Sequence, residues 1–184
     1  MVAALDIGTS KVAVIIAEAY AFGAAKVIGV GAGFHRGLHR GEITDAEAVA
    51  KAVMEAVIKA ERMAEAAMPP AVVGIPGSFC SSFTARGSAA IKRPGHRIQA
   101  ADVERALDAA AAAAIPPGRR IVDRLIHACL LDGERIKGSP VGLVGSRLEV
   151  DVQFITAPLS VLAELGKCLG QAGVQVDGVA VQCL

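Results

Sequence analysis

The feature that most limits the possible folds is a pair of apolar runs separated by a short glycine turn. Residues 2–7 and 12–17 are mostly apolar, and the segment 8–11 between them reads Gly-Thr-Ser-Lys. This pattern predicts a strand, a tight turn and a second strand. Because a strand follows the glycine, the segment differs from the Walker P-loop and the Rossmann fingerprint, which both need a helix there. A plain hairpin with Gly8 at a positive φ explains the spacing equally well.

The turn also has the chemistry of a phosphate site. Gly8 lets a ligand approach the backbone, and successive backbone N–H groups of such a turn can point into one concavity. Thr9 and Ser10 add hydroxyl donors, Lys11 adds a positive charge, and Asp6 has a carboxylate that can hold Mg²⁺ through water. We therefore predict a phosphate site at residues 8–11. The sequence identifies no catalytic residue.

Composition argues against several functional classes. A net charge of +1 and 3% aromatic residues in 184 residues do not fit nucleic-acid binding, which needs a basic patch or stacking platforms. No signal peptide is expected, and prolines and glycines interrupt the longest uncharged stretch, 66–85, so we expect no membrane contact from this chain itself. The four cysteines form no C-x-x-C pair, which predicts reduced structural thiols in a cytosolic protein: Cys80, Cys129, Cys168 and Cys183.

The rest of the chain alternates between strand and helix patterns. Residues 26–34 form a glycine-rich strand, where a neighbouring backbone or a ligand can approach closely. A capping box of Thr44 and Glu47 predicts the start of a helix that runs to about Ala67. A strand is predicted at 71–75, followed by two short strands within 79–91 and a helix at 100–114. A strand at 119–131, a loop at 133–145 and a half-buried strand at 148–154 come next. The last predicted elements are a helix with Pro158 at its first position and Gly173 at its end, and a strand at 174–181.

These elements predict an α/β fold in two parts. The antiparallel alternation at 148–154 interrupts a pattern that returns to helix and strand after Pro158. We therefore expect residues 1–76 and 157–184 to form one subdomain that carries the turn. Residues 77–156 are predicted to form a small inserted α/β module with its own sheet.

The segment from Leu5 to Val12 resembles the first phosphate loop of the actin, heat-shock-chaperone and sugar-kinase superfamily. Further segments in the same order resemble the bacterial FtsA cell-division family. The resemblance implies an actin-like (ribonuclease-H-like) subdomain with the small α/β module inserted at 77–156. The segments are 27–31, 36–41, 61–64, 102–103, 140–143, 145–147, 154–156 and 173–177.

The resemblance also implies a function. Complete members of the family bind ATP and Mg²⁺ between two halves, polymerise on the inner face of the cell membrane and link the ring of the tubulin-like protein FtsZ to later division proteins. Since the resemblance covers about the first half of the family, the FtsZ contact, the second phosphate loop and the membrane helix are expected in the missing half. Residues 8–11 would line the ATP phosphates, with Asp6 on the Mg²⁺ side. Residues 77–156 would contact the next protomer and later division proteins.

Two alternative functions remain open on the sequence. A related actin-like protein of pilus assembly shares the phosphate loop and a similar insertion. The N-terminal half of a sugar kinase would need a general base in the missing half and a polar sugar pocket, for which the segment after Ile75 offers no polar cluster. In each case the chain carries one wall of a cleft, so we expect it to bind Mg·ATP in roughly the millimolar range or not at all, and to hydrolyse none.

Overall fold

The computed structural model describes residues 1–39, 42–91 and 97–182. The segment 36–41, which is one of those that carry the family resemblance, lies partly outside the described residues, and Cys183 lies wholly outside them. The chain divides into two compact units, Met1–Cys80 with the segment from Ala157 onward, and Ser81–Thr156. In chain order the elements are β1 (Val2–Ile7), β2 (Lys11–Ala19), β3 (Ala25–Phe34), β4 (Leu38–His39), β5 (Glu42–Ile43), α1 (Ala46–Ala64), β6 (Ala71–Ile75), β7 (Ser81–Ala90), α2 (Ala100–Ala114), β8 (Arg119–Leu131), β9 (Glu134–Ile136), β10 (Arg147–Pro158), α3 (Leu159–Gln171) and β11 (Val176–Val181).

The first unit contains a five-stranded mixed sheet in the order β11-β6-β1-β2-β3. Strands β1, β2 and β3 form an antiparallel meander, whereas β6 runs parallel to β1 and β11 runs parallel to β6. The carboxyl ends of β1, β6 and β11 therefore meet at the edge of the sheet where the β1–β2 turn lies. In open α/β sheets, ligands bind outside this edge.

Helix α1 packs on one face of this sheet, and glycines in β3 let the two backbones approach. A Cβ built on Gly29, Gly31 or Gly33 would lie 2.3, 1.8 or 2.0 Å from a carbonyl oxygen of α1. The glycine-rich pattern of β3 thus marks a close backbone approach. The residues of α1 that are buried are Val49, Ala50, Ala52, Val53, Ala56, Val57 and Ala60.

Both ends of α1 differ from the prediction. The N-cap is Asp45, whose Oδ1 accepts a hydrogen bond of 2.9 Å from the Ala48 N–H, so the capping box of Thr44 and Glu47 is wrong. The Thr44 N–H donates instead to the Gly37 carbonyl at 2.8 Å. The helix ends at Ala64, before the predicted Ala67, because Glu65 takes a left-handed conformation with φ 51°.

The second unit is a four-stranded sheet in the order β7-β10-β8-β9, with α2 packed on it. Val150 and Val152 are fully buried in one core cluster with Ala106 and Leu107 of α2. At Gly87 of β7 an added Cβ would lie 1.9 Å from the Ala106 carbonyl oxygen. The unit therefore has a core of its own, built with the same glycine-to-helix contact as the first unit.

Two local predictions in the second unit are wrong. Residues 81–90 form one continuous strand that pairs with β10 along its length, and not two short strands. Within the predicted loop at 133–145, residues 134–136 form β9, which pairs with β8 across the turn of Asp132 and Gly133. Both turn residues have positive φ, 51° and 90°, as an Asp-Gly hairpin turn requires.

The last helix begins one residue later than predicted, at Leu159. Pro158 is the N-cap of α3 and not its first helical residue, and Gly173 follows its C-cap with φ 73°.

Cys129 and Cys168 are buried and free, and burial raises the pKa of both thiols. Among the described helices, none is both long enough and apolar enough to cross a bilayer.

Candidate functional site

The turn between β1 and β2 is held by the backbone of its first and last residues. The Gly8 N–H donates to the Lys11 carbonyl at 2.9 Å, and an added Cβ on Gly8 would lie 3.1 Å from that same oxygen. Gly8 does not have a positive φ. The alternative of a plain hairpin that uses Gly8 for a positive φ is therefore wrong, and what the glycine provides is room beside the Lys11 carbonyl.

The two central residues of the turn expose hydrogen-bond donors. Thr9 and Ser10 are both exposed, and within the described ranges their backbone N–H groups donate to no backbone carbonyl. Lys11 is exposed as well, and its ammonium joins no ion pair in the part of the chain that the structure describes. Backbone amides, hydroxyls and one positive charge are thus available on three consecutive residues, 9–11.

His35 lies next to the turn and is 6% exposed. Its Nε2 is 3.1 Å from the Gly8 carbonyl oxygen, and its Nδ1 accepts a hydrogen bond of 3.2 Å from the Gly37 N–H. These partners place the proton on Nε2 and leave the ring neutral. Burial lowers the pKa of His35 below its ordinary value of 6.5, and the bond to the Gly8 carbonyl offsets part of this effect.

Asp6 is held by a residue from the other end of the described chain. Gln182 Nε2 donates to Asp6 Oδ1 at 2.5 Å and to the Ile7 carbonyl at 3.1 Å. Gly74 lies beside Asp6 on the neighbouring strand, where an added Cβ would be 3.0 Å from Asp6 Oδ1. Asp6 and Gln182 also line an open depression of about 410 Å³ on the exposed face of the sheet.

This arrangement fits a phosphate ligand and, more weakly, a metal ion. The phosphate has free amides, two hydroxyls and an ammonium to bind, on a turn where a side chain at Gly8 would crowd the Lys11 carbonyl. For Mg²⁺ the structure provides a single carboxylate, and no group of three His, Cys, Asp or Glu residues gathers among the described residues. Asp6 therefore fits a contact to hydrated Mg²⁺, since Mg²⁺ keeps several of its waters.

The sequence analysis missed His35 and Gln182. The pairing of Lys11 with Phe34 in the β2–β3 hairpin places His35 opposite Ser10, and its N–H donates to the Ser10 carbonyl at 3.0 Å. The sequence predicted the strand at 26–34 but not its pairing with β2, and this pairing brings His35 to the turn. Gln182 follows the last strand by one residue, and only the parallel order of β11, β6 and β1 brings it to Asp6.

In the second unit, Arg119 anchors the sheet. Its guanidinium donates to the Thr156 hydroxyl at 2.7 Å and to the Thr156 carbonyl at 2.9 Å, and it lies 5.9 Å from the centre of the Phe83 ring. Arg120 is exposed, and Arg135 donates to the His127 carbonyl at 3.3 Å. Arg119 is therefore not a free surface charge, because its side chain bonds within the unit.

The second unit also exposes apolar side chains. Ile126 of β8 and Val141 are 46% and 49% exposed. They line one shallow depression of about 410 Å³ together with Val103 of α2. Exposed neighbouring apolar side chains of this kind mark interaction surfaces more often than scattered ones do.

Comparison with known proteins identifies the relatives of both units. Residues 77–156 match the family described as the SHS2 domain inserted in FTSA. The whole chain is 34% identical over 184 residues to cell division protein FtsA of Pseudomonas aeruginosa and covers 44% of that relative. It is 32% identical to the FtsA of Neisseria meningitidis, with 100% of this chain and 44% of the relative covered, and 31% identical to that of Bacillus subtilis, with 98% and 41% covered.

The chain thus spans less than half the length of these curated relatives. All three are named FtsA, which favours this family over the pilus-assembly and sugar-kinase alternatives. Among solved structures, a PilM–PilN type IV pilus biogenesis complex is similar with a TM-score of 0.66 and 15% identity, covering 98% of this chain and 47% of that one. This likeness concerns the fold alone. Together with the SHS2 match it confirms the predicted actin-like α/β subdomain with an inserted module.

Proposed function

Because the chain belongs to the FtsA family of cell-division proteins, we propose that it supplies one wall of an ATP cleft and an interaction module. In the complete protein, residues 8–11 bind the phosphates of ATP and Asp6 faces the hydrated Mg²⁺. The module at 77–156 contacts a second copy of the protein and later division proteins. The complete protein polymerises at the inner face of the membrane and links FtsZ to the division machinery, through parts beyond this chain.

The observation that carries the nucleotide proposal is the open turn at residues 8–11. The amides of Thr9 and Ser10 and the ammonium of Lys11, which have no backbone or ion-pair partner among the described residues, lie with the two hydroxyls at the carboxyl edge of the parallel strands. Ligands of α/β sheets bind at this edge. Each charge-assisted bond to a phosphate contributes roughly 1.5–3 kcal/mol before the cost of immobilising the ligand. Since one wall leaves most of the nucleotide in water, we expect roughly millimolar affinity for this chain and no hydrolysis.

A titration of the isotope-labelled chain with Mg·ATP, followed by amide NMR shifts, tests this proposal. We expect shifts at residues 8–11 that saturate in the millimolar range and weaken several-fold in Lys11→Gln, which removes the charge. Lys26→Gln is the matched control, because Lys26 is an exposed lysine on the same sheet. Shifts that are absent from the turn, or equal losses in both variants, would reject the nucleotide role.

The interaction role of the module rests on its exposed apolar surface. Ile126 and Val141 are large apolar side chains at the rim of one depression, and nothing in the described part of the module resembles a metal centre. A surface of this type favours contact with another protein over chemistry on a small molecule. A second copy of the chain is the partner that we propose for it first.

A further inference from the structure

His35 contacts the turn at two points. Its backbone N–H donates to the Ser10 carbonyl at 3.0 Å, and its side-chain Nε2 donates to the Gly8 carbonyl at 3.1 Å. The side chain is buried although it is polar, and both of its ring nitrogens are hydrogen-bonded within the unit. A buried polar group with both partners satisfied holds its neighbours in one arrangement.

The Gly8 carbonyl is the group whose direction matters for a ligand. It belongs to the same planar trans peptide unit as the Thr9 N–H, and the two groups point in opposite directions. A bond that draws the carbonyl towards the buried His35 therefore turns the Thr9 N–H away from it. In the described part of the chain this N–H donates to no backbone carbonyl, so it is free for a ligand.

The turn lacks the bond that would otherwise set this direction. In a regular two-residue hairpin the carbonyl of the first residue accepts from the N–H of the fourth, here Lys11. Among the described hydrogen bonds that contact is missing, and residues 9 and 10 form an open bend. The side chain of His35 takes the place of the Lys11 N–H at the Gly8 carbonyl.

We propose that His35 is the positioning residue of the nucleotide turn: its Nε2–H fixes the Gly8–Thr9 peptide so that the Thr9 amide points at the phosphate. This role rests on the proposed nucleotide function and adds to it a residue outside the turn. His35 itself does not touch the ligand. It acts through the backbone of Gly8, as a supporting residue that orients a binding group.

Two variants separate the two hydrogen bonds of the ring. The glutamine introduced by H35Q has an amide nitrogen that reaches about as far as Nε2 and can still donate to Gly8. The asparagine introduced by H35N has an oxygen placed like Nδ1, which can accept from Gly37, but its side chain is too short to reach Gly8. Both variants remove the imidazole, but the shorter asparagine leaves the larger void, so the stability of both variants has to be measured beside their binding.

The test is a titration of wild type, H35N and H35Q with Mg·ATP, followed by amide NMR shifts. We expect H35N to weaken binding roughly five- to tenfold, since the Gly8 carbonyl loses its partner, and H35Q to stay within about twofold of wild type. Thermal unfolding of both variants controls for general damage. In the ligand-free wild type, nitrogen–proton correlations of the ring should show the proton on Nε2.

The outcomes separate the two proposals. Wild-type binding that H35N retains in full, an equal loss in H35N and H35Q, or a ring protonated on Nδ1 alone would each overturn the role of His35 and leave the nucleotide site standing. A wild-type chain whose turn amides do not respond to Mg·ATP would overturn the nucleotide site, and the role of His35 with it.

Discussion

Gln182 Nε2 donates a hydrogen bond of 2.5 Å to Asp6 Oδ1 and thereby joins the first strand to the residue after the last one. Gln182→Glu replaces this donor with a second carboxylate, which faces Asp6 and the Ile7 carbonyl. We expect a loss of about 1 kcal/mol in the free energy of unfolding, and less of a loss at high salt. Urea unfolding measures it. Gln182→Met is the neutral control, and an equal loss without salt dependence in both variants would argue against the contact.

The glycines of β3 should tolerate no side chain. In Gly31→Ala the new Cβ would have to lie 1.8 Å from the Ala56 carbonyl oxygen of α1, so the helix must move off the sheet. We expect a destabilisation of about 3 kcal/mol or more, as for other overpacked cores. Gly178→Ala is the control, because a Cβ there meets nothing within 4 Å and Gly178 has no positive φ. Unfolding midpoints that fall equally in both variants would contradict this packing.

Arg119 and Arg120 give a test of the second unit, because they are adjacent in sequence but differ in their contacts. Arg119→Ala removes two hydrogen bonds to Thr156 and the contact with Phe83, and should lower stability by about 1–3 kcal/mol. Arg120→Ala should change it by at most about 0.5 kcal/mol, since the residue is exposed. Chemical denaturation that ranks the two variants the other way would contradict the anchoring role of Arg119.

Sequence patterns predicted the elements better than the contacts between them. Helix α2, strand β8 and the buried alternation from Leu148 to Phe154 follow from local periodicity, and the structure confirms them. The errors concern the residue at which an element begins and the place at which the chain turns. At the start of α1, the N-cap is Asp45 and not the predicted Thr44. At Asp132 and Gly133, a hairpin turn leads into a strand within the segment that was predicted to be a loop.

The candidate site was predicted as a sequence segment but not as a three-dimensional arrangement. Residues 8–11 follow one another in the chain, so their chemistry can be read from the sequence. His35 and Gln182 reach the turn only through the strand register and the parallel order of β1, β6 and β11. A buried histidine and an exposed glutamine carry no local signal of such a contact.

The buried, neutral His35 should make stability depend on pH. Because its pKa is lower in the folded chain than the ordinary value of 6.5, the unfolded chain binds a proton more readily in the interval between the two values. Stability should therefore fall as the pH drops below about 6.5 and level off once the pH is below the folded value. Thermal unfolding from pH 8 to pH 5 measures this, with H35Q as the control. Identical pH profiles for both proteins would contradict it.

The exposed apolar surface of the second unit should support association. We expect concentration-dependent association of the 18.7 kDa chain in sedimentation velocity, and a marked weakening in Ile126→Asp, which places a charge in the proposed contact. Val27→Asp is the matched control, because Val27 is 49% and Ile126 46% exposed and Val27 lies in the first unit. Association that the two variants weaken equally would exclude the module as the contact.

In the proposed nucleotide site, the turn at residues 8–11 holds the phosphates of a metal-bound nucleotide beside Asp6. Manganese substitutes for magnesium on ATP, and its unpaired electrons broaden the NMR signals of nearby amides. With Mn·ATP we predict broadening centred on Asp6 and residues 8–11, while Mn²⁺ without ATP broadens these amides far less, because one carboxylate alone holds the ion weakly. Broadening that centres elsewhere in the chain, or that Mn²⁺ alone reproduces in full, would contradict the nucleotide site.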